Sequence, residues 1–174
     1  MTTLAPVLDL VGDVKGVSLF RYGGALWAVY LRESGEMELH KSGAGILSFR
    51  SLEPATQYPK DHVAAVALED VLCLAWAHRS LDAIYFSRWD MITMAYLQQP
   101  VSIAAGRAPA LKVYKSDRLV LAHRDGVGRH VYRTSPDGGI SWSAALVVDP
   151  LAITDVDLDV YPESENIAYW AETD

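Results

Sequence analysis

Cysteine is almost absent from this chain. Cys73 stands alone among 174 residues, so no disulfide forms within the chain and a disulfide-stapled scaffold is excluded. No apolar run approaches the ~18 residues of a spanning helix, so membrane insertion by a helix is not expected. Helix signals are also missing: no long stretch repeats apolar residues at i, i+3, i+4 and i+7 between caps. There is no phosphate loop or nucleophile elbow. His40, His62 and His130 lack the close spacing of metal ligands, so neither a metal nor a cofactor is expected. The N-terminus, Met1-Thr2-Thr3-Leu4-Ala5-Pro6, has no base ahead of its apolar stretch, so the expectation is cytoplasmic synthesis without a secretory leader.

Bases are missing from one region altogether. From Asp149 onward there are eight acids (Asp149, Asp155, Asp157, Asp159, Glu163, Glu165, Glu172 and Asp174) and no Lys or Arg. The formal charge of −7 therefore belongs to this end, since the rest of the chain holds 14 acids against 15 bases. Residues Arg107 to Arg133 are basic, but their charges are dispersed along strand-like segments with no nucleic-acid motif, so nucleic acid is not the expected partner. A composition that is 51% hydrophobic and 21% charged excludes a disordered chain and suffices for one domain with a buried core.

What is present is a repeat. Leu26-Trp27-Ala28-Val29-Tyr30-Leu31-Arg32, Leu72 to Arg79, Leu119 to Arg124 and Ile167 to Glu172 begin 46, 47 and 48 residues apart. A strand precedes each (Val17 to Tyr22, Ala64 to Leu68, Leu111 to Tyr114, Leu158 to Tyr161). The joining residues are hairpin formers: Gly23-Gly24, Glu69-Asp70, Ser116-Asp117 and Pro162 to Glu165. A third strand follows (Met37 to Ser42, Ala83 to Ser87, His130 to Ser135). Next comes a turn in which Ser is followed, after five residues, by Ser or Thr and a large apolar side chain: Ser42 to Phe49, Ser87 to Met94, Ser135 to Trp142. A fourth strand ends near Pro54, Pro100 or Pro150, which suits an outer edge. Ala64 to Ala77 is apolar enough to pass for a helix, but its place in the repeat makes it two strands. Four antiparallel strands per 40 to 50 residues is the pattern of a β-propeller blade, giving an all-β fold of about four blades. Approximate repeats are 14–60, 61–106 and 107–152, with a partial blade from 153–174 and 1–13. Leu4 to Asp9 resembles the fourth strand Ala144 to Asp149, so the N-terminal strand is expected to close the last blade.

Ser135-Pro136-Asp137-Gly138-Gly139-Ile140-Ser141-Trp142 fits S-x-D-x-G-x-x-W. This resembles the Asp-box of sialidase-like, BNR-repeat β-propellers. The resemblance implies a structural role for Ser135, Asp137, Gly139 and Trp142. An Asp can accept hydrogen bonds from turn amides, and Gly permits positive φ. The earlier copies depart from the motif, with Ala44 and Ile46, or Trp89 and Met91, in place of Asp and Gly. Sialidases of this fold use three arginines, a Tyr–Glu pair and an Asp. This chain lacks the N-terminal Arg-Pro motif and offers no matching nucleophile or acid, so no catalytic residue is assigned.

Candidate ligand residues are His78-Arg79 and His123-Arg124, which end two second strands, against the plainer reading that strand ends are polar because they meet solvent. Trp89, in place of a box Asp, is expected to be exposed for aromatic contact. Asp155, Asp157 and Asp159 alternate with Val156, Leu158 and Val160, as in a half-buried strand with a solvated face. Trp27, Trp76 and Trp170 suggest packing between blades, and Cys73 reads as buried packing. The leading expectation is a non-catalytic structural or interaction module, such as a virion or tail component on shape and size alone. A glycan-binding lectin is second and a sialidase-like hydrolase third. A protein partner or self-association is expected, because four blades is the low end of the propeller range; the two assemblies to be distinguished are one chain closing a four-bladed ring and two chains sharing an eight-bladed one.

Overall fold

Short runs alternating apolar and polar residues, punctuated every five to nine residues by Gly, Asp or Ser turns, leave the backbone no partner but a neighbouring strand. The computed structural model describes residues 14–42, 48–53, 60–114, 117–149, 157–160 and 167–170. These form fourteen strands and no helix among the described residues. The first sheet holds β1 (Val14–Tyr22), β2 (Ala25–Arg32), β3 (Met37–Lys41) and β4 (Ser48–Glu53). The second holds β5 (Lys60–Leu68), β6 (Val71–His78), β7 (Ile84–Asp90) and β8 (Tyr96–Ala104). The third holds β9 (Arg107–Tyr114), β10 (Arg118–Arg124), β11 (His130–Ser135) and β12 (Leu146–Asp149). A hairpin follows, β13 (Asp157–Val160) with β14 (Ile167–Trp170). Each four-stranded sheet is an antiparallel meander in chain order. Lys60, assigned to the first repeat from sequence, opens the second sheet. Pro54, Pro150, the turn 43–47 and the N-terminal strand lie outside the described residues.

The first strands pack side by side: β1 on β5, β5 on β9, and β9 on β13. The sheets therefore stand in an arc with their first strands innermost. Two cores fill the gaps. Phe20, Val29, Leu31 and Leu39 of the first sheet meet Leu72, Leu74 and Trp76 of the second. On the opposite side of the second sheet, Cys73, Ala75, Ile84 and Phe86 meet Leu119 and Leu121 of the third. Each such large side chain contributes about 1.5–3 kcal/mol on burial. Being covered on both sides explains why β6 is an unbroken apolar run: Leu72 through Ala77 are all buried. Pro100 sits in β8, an outer edge, and the β7–β8 register slips beside it between Phe86 and Arg88.

Ser18 links the inner strands, its hydroxyl oxygen accepting from the Ala65 N–H at 2.8 Å. Turns within a sheet are clasped the same way twice. The Met91 N–H donates to the Asp70 carbonyl (2.8 Å), and the Gly138 N–H donates to the Asp117 carbonyl (3.1 Å).

Candidate functional site

The meander sorts the turns into two ends. The starts of β1, β5 and β9 share one end, here the upper, with the β2–β3, β6–β7 and β10–β11 turns. The lower end carries the β1–β2 and β3–β4 types of turn.

At the upper end all three inner strands break register at the same level: between Val14 and Gly16, between Lys60 and Val63, and opposite the Ala122 to Arg124 step. Such irregularities re-aim side chains. They bring forward Lys15-Gly16, Asp61-His62 and Arg107-Ala108, so Lys15, Asp61 and Arg107, each 46 residues from the next, occupy matching positions. Lys15 Nζ is ion-paired with Asp61, whose other oxygen lies 3.5 Å from His62 Nδ1. The Lys15 hydrogen bond holds the Asp61 carboxyl below its usual range against the opposing effect of burial, with the charges of His62 and Arg79 adding to it. Arg107 Nε donates to Asp82 Oδ1 at 3.2 Å. Ala108 has φ 49°, a left-handed conformation costly for a residue with a Cβ. Lys15, Asp61, His62 and Ala108, together with Val17, Val63 and Pro109, line a mouth of about 200 Å³, while the Arg107–Asp82 pair lies outside it. Below it a groove of about 440 Å³ runs between β1, β5 and β9, lined by Leu19, Ala65, Leu111 and Lys112 among others. The mouth offers the Asp61 carboxylate, the Lys15 ammonium and the His62 ring beside apolar side chains.

The four strand-end residues singled out from sequence are at this upper end but do not form one row. Pairing places Trp76 opposite Val63 in the second sheet, and Leu121 opposite Leu111 in the third. Counted from the turn-proximal Leu72 and Leu119, His78 and His123 differ by two positions, so the two dipeptides are not equivalent. His78 ends its strand half-buried, its Nδ1 accepting from the N–H groups of Ser80 and Leu81 at 3.1 Å each. Arg79 is exposed and reaches the first sheet, donating from Nη2 to the Glu33 carbonyl at 2.9 Å. His123 faces the second sheet and is 1% exposed. Burial pushes its imidazole below the ordinary value, and Nε2 has no hydrogen-bond partner among the described residues. Arg124 is half-buried, and its side chain makes no ion pair among the described residues.

At the lower end, Asp137 clasps its own turn. Oδ1 accepts from the Ser141 N–H (2.9 Å) and the Ser135 hydroxyl (2.8 Å), and Oδ2 accepts from the Ser141 hydroxyl (2.6 Å). These bonds, the Ser141 hydroxyl foremost, hold the carboxyl at about 2. Gly139 donates its N–H to Ser135 Oγ (2.7 Å) and has φ 96°, and a Cβ there would lie 2.3 Å from Phe86. Trp142 meets Phe86 edge to face, with centroids 5.3 Å apart.

The expectation for Trp89 is corrected. It is 5% exposed, pairs with Leu72 across the strand and packs 3.9 Å from the Tyr96 ring. Alternation along β7 turns Tyr85 and Trp89 toward the first sheet, so exposure is precluded. The neighbouring Asp90 does the clasping in this turn, its Oδ1 accepting from the Ile92 and Thr93 N–H groups at 2.8 Å each. Trp76 is fully buried between sheets and Trp27 partly so. The side chain of Trp170 and those of Asp155, Asp157 and Asp159 lie outside the described set. Cys73 is buried, and desolvation pushes its thiol up to about 12.

Lys15, Asp61 and Arg107 went unread in the sequence because their chemical types differ, although their even spacing is a usable signal.

With this geometry the chain is similar to several solved structures. It superposes on a triple arginine-to-alanine variant of AofleA from Arthrobotrys oligospora with TM-score 0.63 at 14% identity, over 92% of this chain and 51% of that one. The α-L-arabinofuranosidase CtGH43 of Clostridium thermocellum gives 0.61 at 9% identity, over 90% and 62%. The Hadza microbial sialidase Hz136 gives 0.50 at 12%, over 73% and 32%. The likeness is one of fold: antiparallel, all-β and propeller-like. The chain spans about half the length of the first of these and less than two thirds of the second. No family model and no curated protein matches the sequence.

Proposed function

We propose that this chain is a non-catalytic, carbohydrate-binding module of propeller type, supplying about four blades of the Asp-box kind. The observation that carries this reading is the upper mouth, where Asp61, Lys15 and His62 stand over Val17, Val63 and Pro109. A sugar ring presents hydroxyls around its edge and C–H groups on its faces, and such a mouth suits both. The groove of about 440 Å³ beneath lies within the range of small-ligand sites. The similar solved structures include an arabinofuranosidase and a sialidase, both acting on sugars, which supports the same ligand class.

Binding is favoured over hydrolysis by the state of Asp61. Glycoside hydrolysis needs a pair of carboxyl groups, commonly one held protonated as the acid. Asp61 is the only carboxylate among the described side chains lining mouth and groove, and Lys15 keeps it ionised. The particle role suggested by size alone gains no support from the similar structures.

The test is an array of neutral and acidic oligosaccharides, followed by titration calorimetry of any hit. Asp61→Ala is expected to weaken binding at least tenfold, while Trp89→Phe leaves affinity unchanged. Absence of binding across the array overturns the ligand class. Turnover of a fluorogenic glycoside by the wild-type chain overturns the non-catalytic reading.

A further inference from the structure

The second and third sheets approach closely along β5, β6 and β9, whereas no such approach joins β8 to β12. The gap between the two sheets therefore widens toward the rim, away from the mouth and groove among the inner strands. Its base is aromatic: Phe86 of β7 is buried, and Trp142 meets it edge to face. Cross-strand pairing sets Val101, 41% exposed, beside Phe86 on the outer strand β8.

Arg133 enters this gap from the third sheet. It pairs with Leu121, which faces the second sheet, so the two side chains share a face. The Ser143 N–H donates to the Thr134 carbonyl (2.9 Å), and Ser143 Oγ accepts from the Thr134 N–H (3.0 Å). That pairing brings Trp142 alongside Ser135, the next residue of β11 to share the Arg133 face. Arg133 Nη1 donates to the Ser143 carbonyl at 2.8 Å, which engages one side of the guanidinium. On the other side Nε is buried without an acceptor, and Nη2 makes no hydrogen bond among the described residues. The Trp142 indole Nε1 is likewise buried without an acceptor. Arg133 has no ion pair among the described residues, and Asp137 of the adjoining turn has its oxygens engaged by Ser135 and Ser141.

We propose that this cleft binds a small organic carboxylate, its two oxygens on Nε and Nη2 of Arg133 and its apolar body along Phe86, Val101 and Trp142. Three features select this chemistry. Nε and Nη2 point the same way from one edge of a planar group, the arrangement that receives two carboxylate oxygens. The unfilled groups of Arg133 and Trp142 are donors, which calls for a ligand that accepts. A half-buried cation without a partner is unfavourable, and an anion offsets that cost. The apolar neighbours select an organic body over a bare inorganic ion. The site lies at the rim, outside the mouth, and is independent of the carbohydrate reading.

Titration of the full chain with benzoate, followed by proton–nitrogen NMR of the Trp142 indole and the Arg133 Nε, tests it. Saturable shifts of both signals are expected with benzoate, binding about tenfold weaker with sulfate, and no saturable shift with benzyl alcohol, which lacks the charge. Arg133→Lys keeps the charge without the paired donors and is expected to weaken benzoate binding about tenfold. Val101→Glu, at an exposed outer-strand position, is expected to weaken it as well by placing a carboxylate in the cleft, with unchanged circular dichroism. His123 gives a separate readout. Burial, with the Arg133 charge adding to it, holds its imidazole below the ordinary value. An anion on Arg133 relieves the second effect, so saturating benzoate is expected to raise the His123 value. Absence of saturable shifts with benzoate overturns the proposal. So does benzyl alcohol or sulfate binding as tightly as benzoate, or wild-type affinity in both substituted chains.

Discussion

The Ser18 hydroxyl sits against the unpaired edge of a neighbouring strand, accepting from the Ala65 N–H at 2.8 Å with the Ala65 carbonyl 3.4 Å away. Ala65 is an inner-strand residue with no strand on its other side, so its amide would otherwise be an unpaired donor in a nearly buried position (3% exposed). One side chain thus fixes the level at which the first two sheets meet.

Removing that hydroxyl leaves the amide unsatisfied. Ser18→Ala is expected to destabilise the chain by about 1–3 kcal/mol, and Ser18→Thr by less. Urea unfolding followed by tryptophan fluorescence measures both. A Ser18→Ala midpoint equal to the wild-type one would show that water satisfies the amide equally well.

Asp137 gives a prediction in acid. Its folded carboxyl titrates at about 2, below the ordinary 3.8. An acid with a depressed folded value contributes stability that is present above the unfolded value and lost as pH falls through the folded one. Wild-type stability should therefore decline from about pH 4 toward pH 2, with Asp137 supplying part of the slope. Asp137→Asn should lower stability at pH 7 and flatten that part of the profile. Equal slopes in the two proteins would contradict the clasp.

His123 acts in the opposite sense to most histidines. Burial holds its folded value below the ordinary 6.5, with Arg133 adding to the shift and the Arg124 carbonyl, Asp125 and Asp82 opposing it. Above 6.5 both folded and unfolded forms are neutral and no penalty arises. As pH falls below 6.5 the unfolded chain takes up a proton that the folded chain resists, and stability drops until the folded value is reached. His123→Phe should remove this loss below about pH 6.5. Comparing melting temperatures of the two proteins at pH 7.5 and 5.5 isolates it from the other histidines.

The repeat was legible because each second strand repeats its apolar pattern at nearly constant spacing, and the three meanders follow it. Side-chain direction was less legible. His78 and His123 look alike as His-Arg pairs, yet they fall two positions apart when counted from the repeat starts Leu72 and Leu119, and the strand pairing agrees with that count. Trp89 holds a place in the turn motif but not in the turn itself, since β7 continues through Asp90. Its clasping Asp is displaced by one residue from the motif, which a fixed pattern misses. The mouth carries no residue-type signature, because register irregularities bring forward Lys15 and Asp61, with Arg107 at the matching level of the third sheet, three different chemistries at one spacing.

Every strand in the three full sheets pairs only with its neighbours in sequence, and each sheet rests on the one made just before it. Such a chain need not wait for its last residues before pairing its first sheet. On a ribosome, the first sheet can pair as soon as about fifty residues have emerged, and each later sheet then finds a finished template beside it. Assembly becomes a process of accretion, and an error in one sheet is passed forward to later sheets rather than back to those already formed.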